Sequence, residues 1–128
     1  MSAHQSDLVR RFYEAFDAQD LDSLAATLHP HAELQTRRGL RIGREEARSW
    51  ATKSEAGGLR QRYVVEELVE HHNHVVATVR QQWWWAEENE LAEDNEVAAL
   101  FTFEGGLISR WQPFTDREEA LRAAGIDA

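Results

Sequence analysis

The sequence predicts an α+β domain in which a curved antiparallel β-sheet wraps around N-terminal helices, a cone-shaped barrel with an apolar pocket. Three observations carry this expectation. Apolar residues repeat at helical spacing through the first part of the chain, the period then changes from 3.6 to 2, and a capped helix closes the sequence.

The first helix displays its buried side through Leu8, Val9, Phe12, Tyr13, Ala15 and Phe16, with Arg10, Arg11, Glu14 and Asp17 on the opposite side. A short second helix follows through Leu21, Leu24, Ala25 and Leu28, and Asp20 or Asp22 stands where a carboxylate can accept from its free amides. His29-Pro30 ends it, because the residue before a proline is pushed toward extended geometry, and Ala32 to Thr36 then alternates like a strand. Gly39 to Gly43 reads as a loop. Beyond it, Ala47, Trp50, Ala51 and Ser54 share one face of a third helix with Gly43 as its cap and Ile42 and Ala47 at staple spacing, and Gly57-Gly58 stops it.

Strands are expected over Arg60 to Glu70, Val75 to Trp85, Glu96 to Phe103 and Leu107 to Phe114. The acidic stretch Glu87 to Glu96 reads as a solvated loop. Thr115-Asp116 followed by Glu118 and Glu119 has capping-box spacing, and the last helix runs through Ala120, Leu121 and Ala124 to Gly125.

Size and composition fit a single domain over residues 1–128: a 42% hydrophobic fraction with two prolines leaves no linker at which to divide it. The absence of cysteine excludes disulfides, thiolate metal sites and a cysteine nucleophile, and leaves the redox compartment open. A net charge of −9 would repel phosphate backbones and anionic lipid, so neither nucleic acid nor a membrane surface is an expected partner. Met1 to Asp7 lack the charged and apolar regions of an export signal and no apolar run would cross a bilayer, so a cytoplasmic location is expected.

The motifs that announce a bound group are missing: there is no glycine-rich phosphate loop, no G-x-S-x-G elbow and no H-E-x-x-H, and no cofactor is expected. No metal site is expected either. His71, His72 and His74 fall at a strand connection where Asn73 suits a turn, and His29 and His31 flank Pro30 at a helix end. Arg37, Arg38, Arg41 and Arg44 cluster before the third helix, where they can draw an anionic ligand to a pocket mouth or pair with surface carboxylates.

The last hairpin can be read to side-chain level, because Gly105-Gly106 is a two-residue turn signal that sets which residues stand opposite one another. On that register Phe103 faces Ile108, Phe101 faces Arg110, Ala99 faces Gln112 and Val97 faces Phe114, all on one side. This larger, more aromatic side is expected to be the concave one. It makes Arg110 and Gln112 polar groups on an apolar inner wall, and hence candidate ligand contacts. The other side pairs Leu100 with Trp111, an apolar surface that suggests a homodimer through the outer face of the sheet together with Trp84. Trp83-Trp84-Trp85 must point to both faces of its strand. Whether Gln81, Trp83 and Trp85 or Arg80, Gln82 and Trp84 look inward stays open at this level.

The runs Val9-Arg10-Arg11-Phe12-Tyr13-Glu14-Ala15-Phe16, Asp20-Leu21-Asp22-Ser23-Leu24 and His29-Pro30-His31-Ala32-Glu33-Leu34 resemble a SnoaL-like member of the nuclear transport factor 2-like superfamily, which includes ketosteroid isomerases, polyketide cyclases and limonene epoxide hydrolase. Gly106 to Trp111, Phe114-Thr115-Asp116 and Glu119-Ala120-Leu121 are similar to that family's final strand and helix. The resemblance implies the fold over nearly the whole chain, and less about chemistry. Where a ketosteroid isomerase keeps an aspartate base, a tyrosine and a protonated acid, this chain is read to have Thr36, Phe12 and Ala99. The Arg-x-Asp pattern of the epoxide hydrolase is reduced to Arg80-Gln81-Gln82, with Pro113 where its last acid would stand.

The function expected is therefore binding of a small apolar ligand by a dimeric pocket protein, with Phe12, Trp50, Tyr63, Gln81, Trp83, Phe101, Arg110 and Gln112 as its contacts. The rival is an isomerase, cyclase or hydrolase acting on a polyketide- or steroid-like substrate, with its acid or base at Tyr13, Tyr63, Glu67 or a histidine. A third class is a dimeric interaction module with no ligand.

Overall fold

A computed structural model describes residues 2–36, 39–52, 59–85 and 87–126. Helix α1 (Ser2–Ala18) packs its Leu8, Val9, Phe12, Tyr13 and Phe16 face into the main core. It starts well before the apolar repeat. Across the fold, the Glu70 carboxylate accepts from both the backbone N–H and the hydroxyl of Ser6, a contact no local pattern announces. Helix α2 (Leu21–Ala26) is capped by Asp20, which accepts from the Ser23 N–H and hydroxyl; those hydrogen bonds hold the carboxyl below its ordinary value. Helix α3 (Arg44–Ala51) starts after Gly43, whose φ of 95° is the left-handed conformation that favours glycine. Ile42 is 55% exposed, so the expected staple onto Ala47 does not bury it. Ser54, Gly57-Gly58, Arg37 and Arg38 lie outside the described residues.

Six strands form one curved sheet: β1 (Leu28–Thr36), β2 (Gly39–Ile42), β3 (Leu59–His71), β4 (His74–Trp85), β5 (Glu90–Glu104) and β6 (Leu107–Phe114), in the order β2-β1-β6-β5-β4-β3. The α+β fold, a curved sheet over N-terminal helices, is as expected, and two features refine its antiparallel barrel. The β1–β6 pair is parallel, and the sheet is unclosed, with β2 and β3 at its edges. Gly39 to Ile42 is a strand rather than a loop: it pairs antiparallel with β1, and the Thr36 hydroxyl donates to the Gly39 carbonyl (2.8 Å). The acidic stretch is also strand, because β5 begins at Glu90 and pairs with the Trp83 to Trp85 end of β4, with Asp94 bonded to Arg80 at 3.2 Å. Its residues 90–96 are exposed, as an acidic composition demands, but their backbone is paired.

The turn between β5 and β6 has Gly105 and Gly106 at φ values of 60° and 81°, the two positive angles a two-residue hairpin turn of this hand requires. Phe103 faces Ile108 as the turn dictates, and then the register slips by one: Thr102 faces Arg110, Phe101 faces Trp111 and Leu100 faces Gln112. Ser109 is the extra residue of a β-bulge. The slip corrects the face assignment of β6. Ile108 and Trp111 both point inward, whereas Arg110 is turned out beside Glu33 (3.6 Å) and Gln112 shares that outer side. A second bulge on β3 does the same for Val65 and Leu68, which both pack on the main core with Glu66 between the paired positions.

Helix α4 (Arg117–Ala123), capped by the Asp116 carboxylate, covers part of the outer face. Ala120, Leu121 and Ala124 pack there on Val76, Ala98 and Leu100, with Val69, Phe114 and Ile126 at the margin. Leu100 is 3% exposed and Trp111 5% exposed within one chain, so the apolar pair that suggested a dimer surface is split between two internal cores. Truncating Leu100 to Ala leaves a hole beneath α4 and is expected to cost about 2–5 kcal/mol in urea unfolding of the whole domain. A cost below about 1 kcal/mol would show that α4 does not hold this face shut.

Candidate functional site

Between the concave side of the sheet and helices α1 and α3 lies a cavity of about 650 Å³. Its position follows from alternation along β4, where Val75, Ala77 and Val79 are in the main core and Gln81 and Trp83 continue the same face beyond it. This settles the orientation of the tryptophan strand: Gln81 and Trp83 look inward. Trp84 points the other way, its Nε1–H donating to the Gln82 Oε1 at 3.3 Å. It borders a second hollow of about 640 Å³ with Glu14, Asp17 and Arg62, and Gln61 lies between the two hollows.

The inner wall is a set of interlocked rings. Trp50 of α3 lies 4.9 Å from Trp111 of β6 and 5.5 Å from Phe16 of α1, and Tyr13 lies 4.9 Å from Tyr63 of β3. Behind them, Phe12 and Phe101 meet edge to face at 5.5 Å, fully buried. Three polar side chains converge on this wall. The Tyr63 hydroxyl accepts from Gln61 Nε2 (3.2 Å) and from Gln81 Nε2 (3.3 Å), because Gln61 precedes it by two on β3 and Gln81 stands directly opposite on β4. The Tyr63 backbone N–H donates to Asp17 at 3.0 Å, which ties the end of α1 to this strand. At the mouth stand Thr36, Arg41, Ser49 and Thr52.

Of the residues expected to touch a ligand, Trp50, Tyr63, Gln81 and Trp83 line the cavity. Phe12 and Phe101 stand one layer back and support the wall. Arg110 and Gln112 are displaced to the outer face by the bulge at Ser109, which removes them from the inner wall; Arg110 is 45% exposed there. Trp111 and Gln61 line the cavity without having been singled out as contacts; Arg41, expected to draw an anion to the pocket mouth or to pair with a surface carboxylate, and Tyr13, considered only as an acid or base, line it as well. Trp111 had a signal in the sequence: Ile108 and Trp111 are two large apolar residues three apart, which a strand can bury together only through a bulge.

The residues considered for acid–base chemistry separate clearly. Glu67 is on the outer face, held by Arg117 at 2.7 Å. His71, His72 and His74 gather at the β3–β4 turn, away from the cavity lining, where burial and then the neighbouring imidazoles hold His74 below the ordinary histidine value. Among the described residues, no group of three or more metal-ligating side chains is found, and no helix is long and apolar enough to cross a membrane. Tyr13 accepts from Trp111 Nε1 at 3.4 Å, and burial foremost, then the neighbouring Tyr63, pushes its phenol far up.

A family model described as a SnoaL-like domain matches residues 9–111. The chain belongs to the SnoaL-like family. Its fold is that of solved nuclear transport factor 2-like proteins. One of unknown function from Burkholderia pseudomallei is 20% identical, with 93% of this chain and 95% of that chain covered at a TM-score of 0.70. A candidate polyketide cyclase from Xanthomonas campestris is 19% identical, with 95% and 97% covered at 0.69. TerC, co-crystallised with polyporic acid, is 14% identical, with 95% and 98% covered at 0.70. Identities this low establish the shared fold. No curated protein matches the chain.

The buried phenol makes a measurable prediction for this SnoaL-like domain. With the folded-state value of Tyr13 above the ordinary 10.0, the unfolded chain loses that proton first as pH rises. Stability is thus intact below pH 10 and falls above it, by about 1.4 kcal/mol per pH unit from this group. Urea unfolding between pH 8 and 11 should show that decline, and Tyr13→Phe should flatten it. An unchanged slope in the variant would mean that Tyr13 is not the group responsible.

Proposed function

We propose that this SnoaL-like domain binds a small, planar, mostly apolar molecule in the cavity between the concave sheet and α3. The observation that carries the reading is a single arrangement: indole and phenol rings of Tyr13, Trp50, Trp83 and Trp111 around a space of about 650 Å³, with the Gln61 and Gln81 amides meeting on the Tyr63 hydroxyl. A space of about 300–1,000 Å³, apolar with a few convergent polar groups, is what small-molecule sites have in common. The shared fold of TerC, which was crystallised with polyporic acid, supports a ligand of this kind.

Binding is favoured over acid–base catalysis by the chemistry of the lining. Among the described residues, the lining holds neither a carboxylate nor an imidazole, and Tyr13 keeps its proton. Hydroxyls and amides orient a ligand well, but they do not exchange protons readily near neutral pH. An isomerase, cyclase or hydrolase would need a different group to do so. The proposed homodimer through the outer face rests on less than the sequence suggested, since of Trp84, Leu100 and Trp111 only Trp84 lies outside the two cores.

Titration with the neutral aromatic 2-naphthol, read by quenching of the tryptophan fluorescence, tests the reading. Saturable 1:1 quenching is expected in the unmodified domain. Val97→Trp, which places an indole in the cavity at a half-buried lining position, should weaken it by about tenfold or more at unchanged fold by circular dichroism. Binding that survives Val97→Trp undiminished would put the ligand elsewhere.

A further inference from the structure

The cavity is electrostatically unlike the chain that forms it. The protein carries 23 acidic and 14 basic residues, yet among the described residues the only charged side chain lining the cavity is a cation, Arg41. Its location is a consequence of strand alternation on β2. Leu40 and Ile42 take the outer side, 51% and 55% exposed, and Arg41, opposite Leu34 of the main core, takes the inner one.

The guanidinium is held but not consumed. Glu46, in the first turn of α3, accepts from Arg41 Nη1 at 2.9 Å. A guanidinium offers five N–H donors in a planar fork, and among the described residues this contact engages Nη1 alone. Ser49 adds a hydroxyl to the same lining, where the Thr36 and Thr52 hydroxyls donate to the Gly39 and Arg48 carbonyls, and Trp50 follows Ser49 on α3. The lining thus joins one cation to a set of aromatic rings.

We infer that the ligand is an aromatic anion, a planar ring system bearing a carboxylate or an equally acidic oxygen, whose charged end is held by Arg41 while its ring lies among Trp50, Trp83 and Trp111. This deepens the proposed binding role and rests on it. Charge-assisted hydrogen bonds from a guanidinium fork to a carboxylate are about twice as strong as neutral ones, and a partly desolvated mouth screens them less than open water does. Glu46 sets the strength of the site. It accepts from Arg41 Nη1 at 2.9 Å and so competes with an incoming anion for that donor.

The test compares 2-naphthoate with its neutral counterpart 2-naphthamide by tryptophan quenching, in the unmodified domain and in Arg41→Gln and Glu46→Gln. The carboxylate is expected to bind about tenfold more tightly than the amide, Arg41→Gln to remove that preference while changing the amide's affinity by less than about twofold, and Glu46→Gln to raise carboxylate affinity severalfold. Arg41 stands on an edge strand and Glu46 on the helix surface, so both variants are expected to fold, with circular dichroism as the check. Equal affinity for the two probes, an equal loss of both in Arg41→Gln, or amide binding alone overturns the anion assignment and leaves the binding role standing. Failure of both probes to bind the unmodified domain overturns the binding role itself.

Discussion

One extra residue in the last strand decides which side chains build the interior. Ile108 and Trp111 are three positions apart, and a regular strand would place them on opposite faces. Without the bulge at Ser109, Trp111 would stand among the outer-face residues and Arg110 would be driven between Phe101 and the helices, where a guanidinium with no partner is far more costly than a local break in the ladder. With the bulge, Trp111 reaches Trp50 across the cavity and donates to Tyr13, while Arg110 finds Glu33 on the outside. Truncating a buried tryptophan to alanine typically costs about 3–5 kcal/mol, more than the roughly 1–3 kcal/mol of one unsatisfied backbone group. The same solution recurs on β3, where Glu66 is the extra residue that lets Val65 and Leu68 share the core.

The cavity depends on that choice. Trp111 closes one wall against α3, and Ala99 beside it is too small to fill the space its larger neighbours leave. Had Arg110 and Gln112 faced inward, the site would have held a strong cation at its centre. Instead the centre is apolar, the amides of Gln61 and Gln81 meet at Tyr63, and the single lining cation among the described residues stands on β2. A ligand therefore meets charge at the entrance and ring faces inside, an order that orients a molecule with one polar end.

Much of this fold was legible because local signals and tertiary packing agree. The apolar stripe of α1, the glycine turn at 105–106 and the period change after α3 are carried out by the structure, and of the cap candidates Asp20 or Asp22 and Thr115-Asp116 it uses Asp20 and Asp116. Elements held by distant contacts were not legible. The early start of α1 depends on Ser6 meeting Glu70, the short strand β2 depends on pairing with β1, and the acidic end of β5 is strand because β4 supplies its partners. Composition argues for a loop at each of these places, and backbone pairing overrides it. For the site, Tyr63 of β3 and Gln81 and Trp83 of β4 could be named from sequence and Gln61 was not, whereas Arg110 and Gln112 were misplaced by a single register step. The spacing of Ile108 and Trp111 already contained the warning.

Phe12 links the family resemblance to the limits of the site. It lies where a ketosteroid isomerase is expected to keep its tyrosine donor, and here it is a fully buried ring stacked against Trp50 and set edge-on to Phe101. The phenol belongs to Tyr13 instead, one residue on and about a quarter-turn round the helix. There it accepts from Trp111 Nε1, and burial pushes its pKa far up. Phe12 thus supports the wall from behind, and Tyr13 is the residue of the pair that lines the cavity. Two amides converging on the Tyr63 hydroxyl and, among the described residues, one lining cation are the polar groups from which the proposed binding site would draw its selectivity.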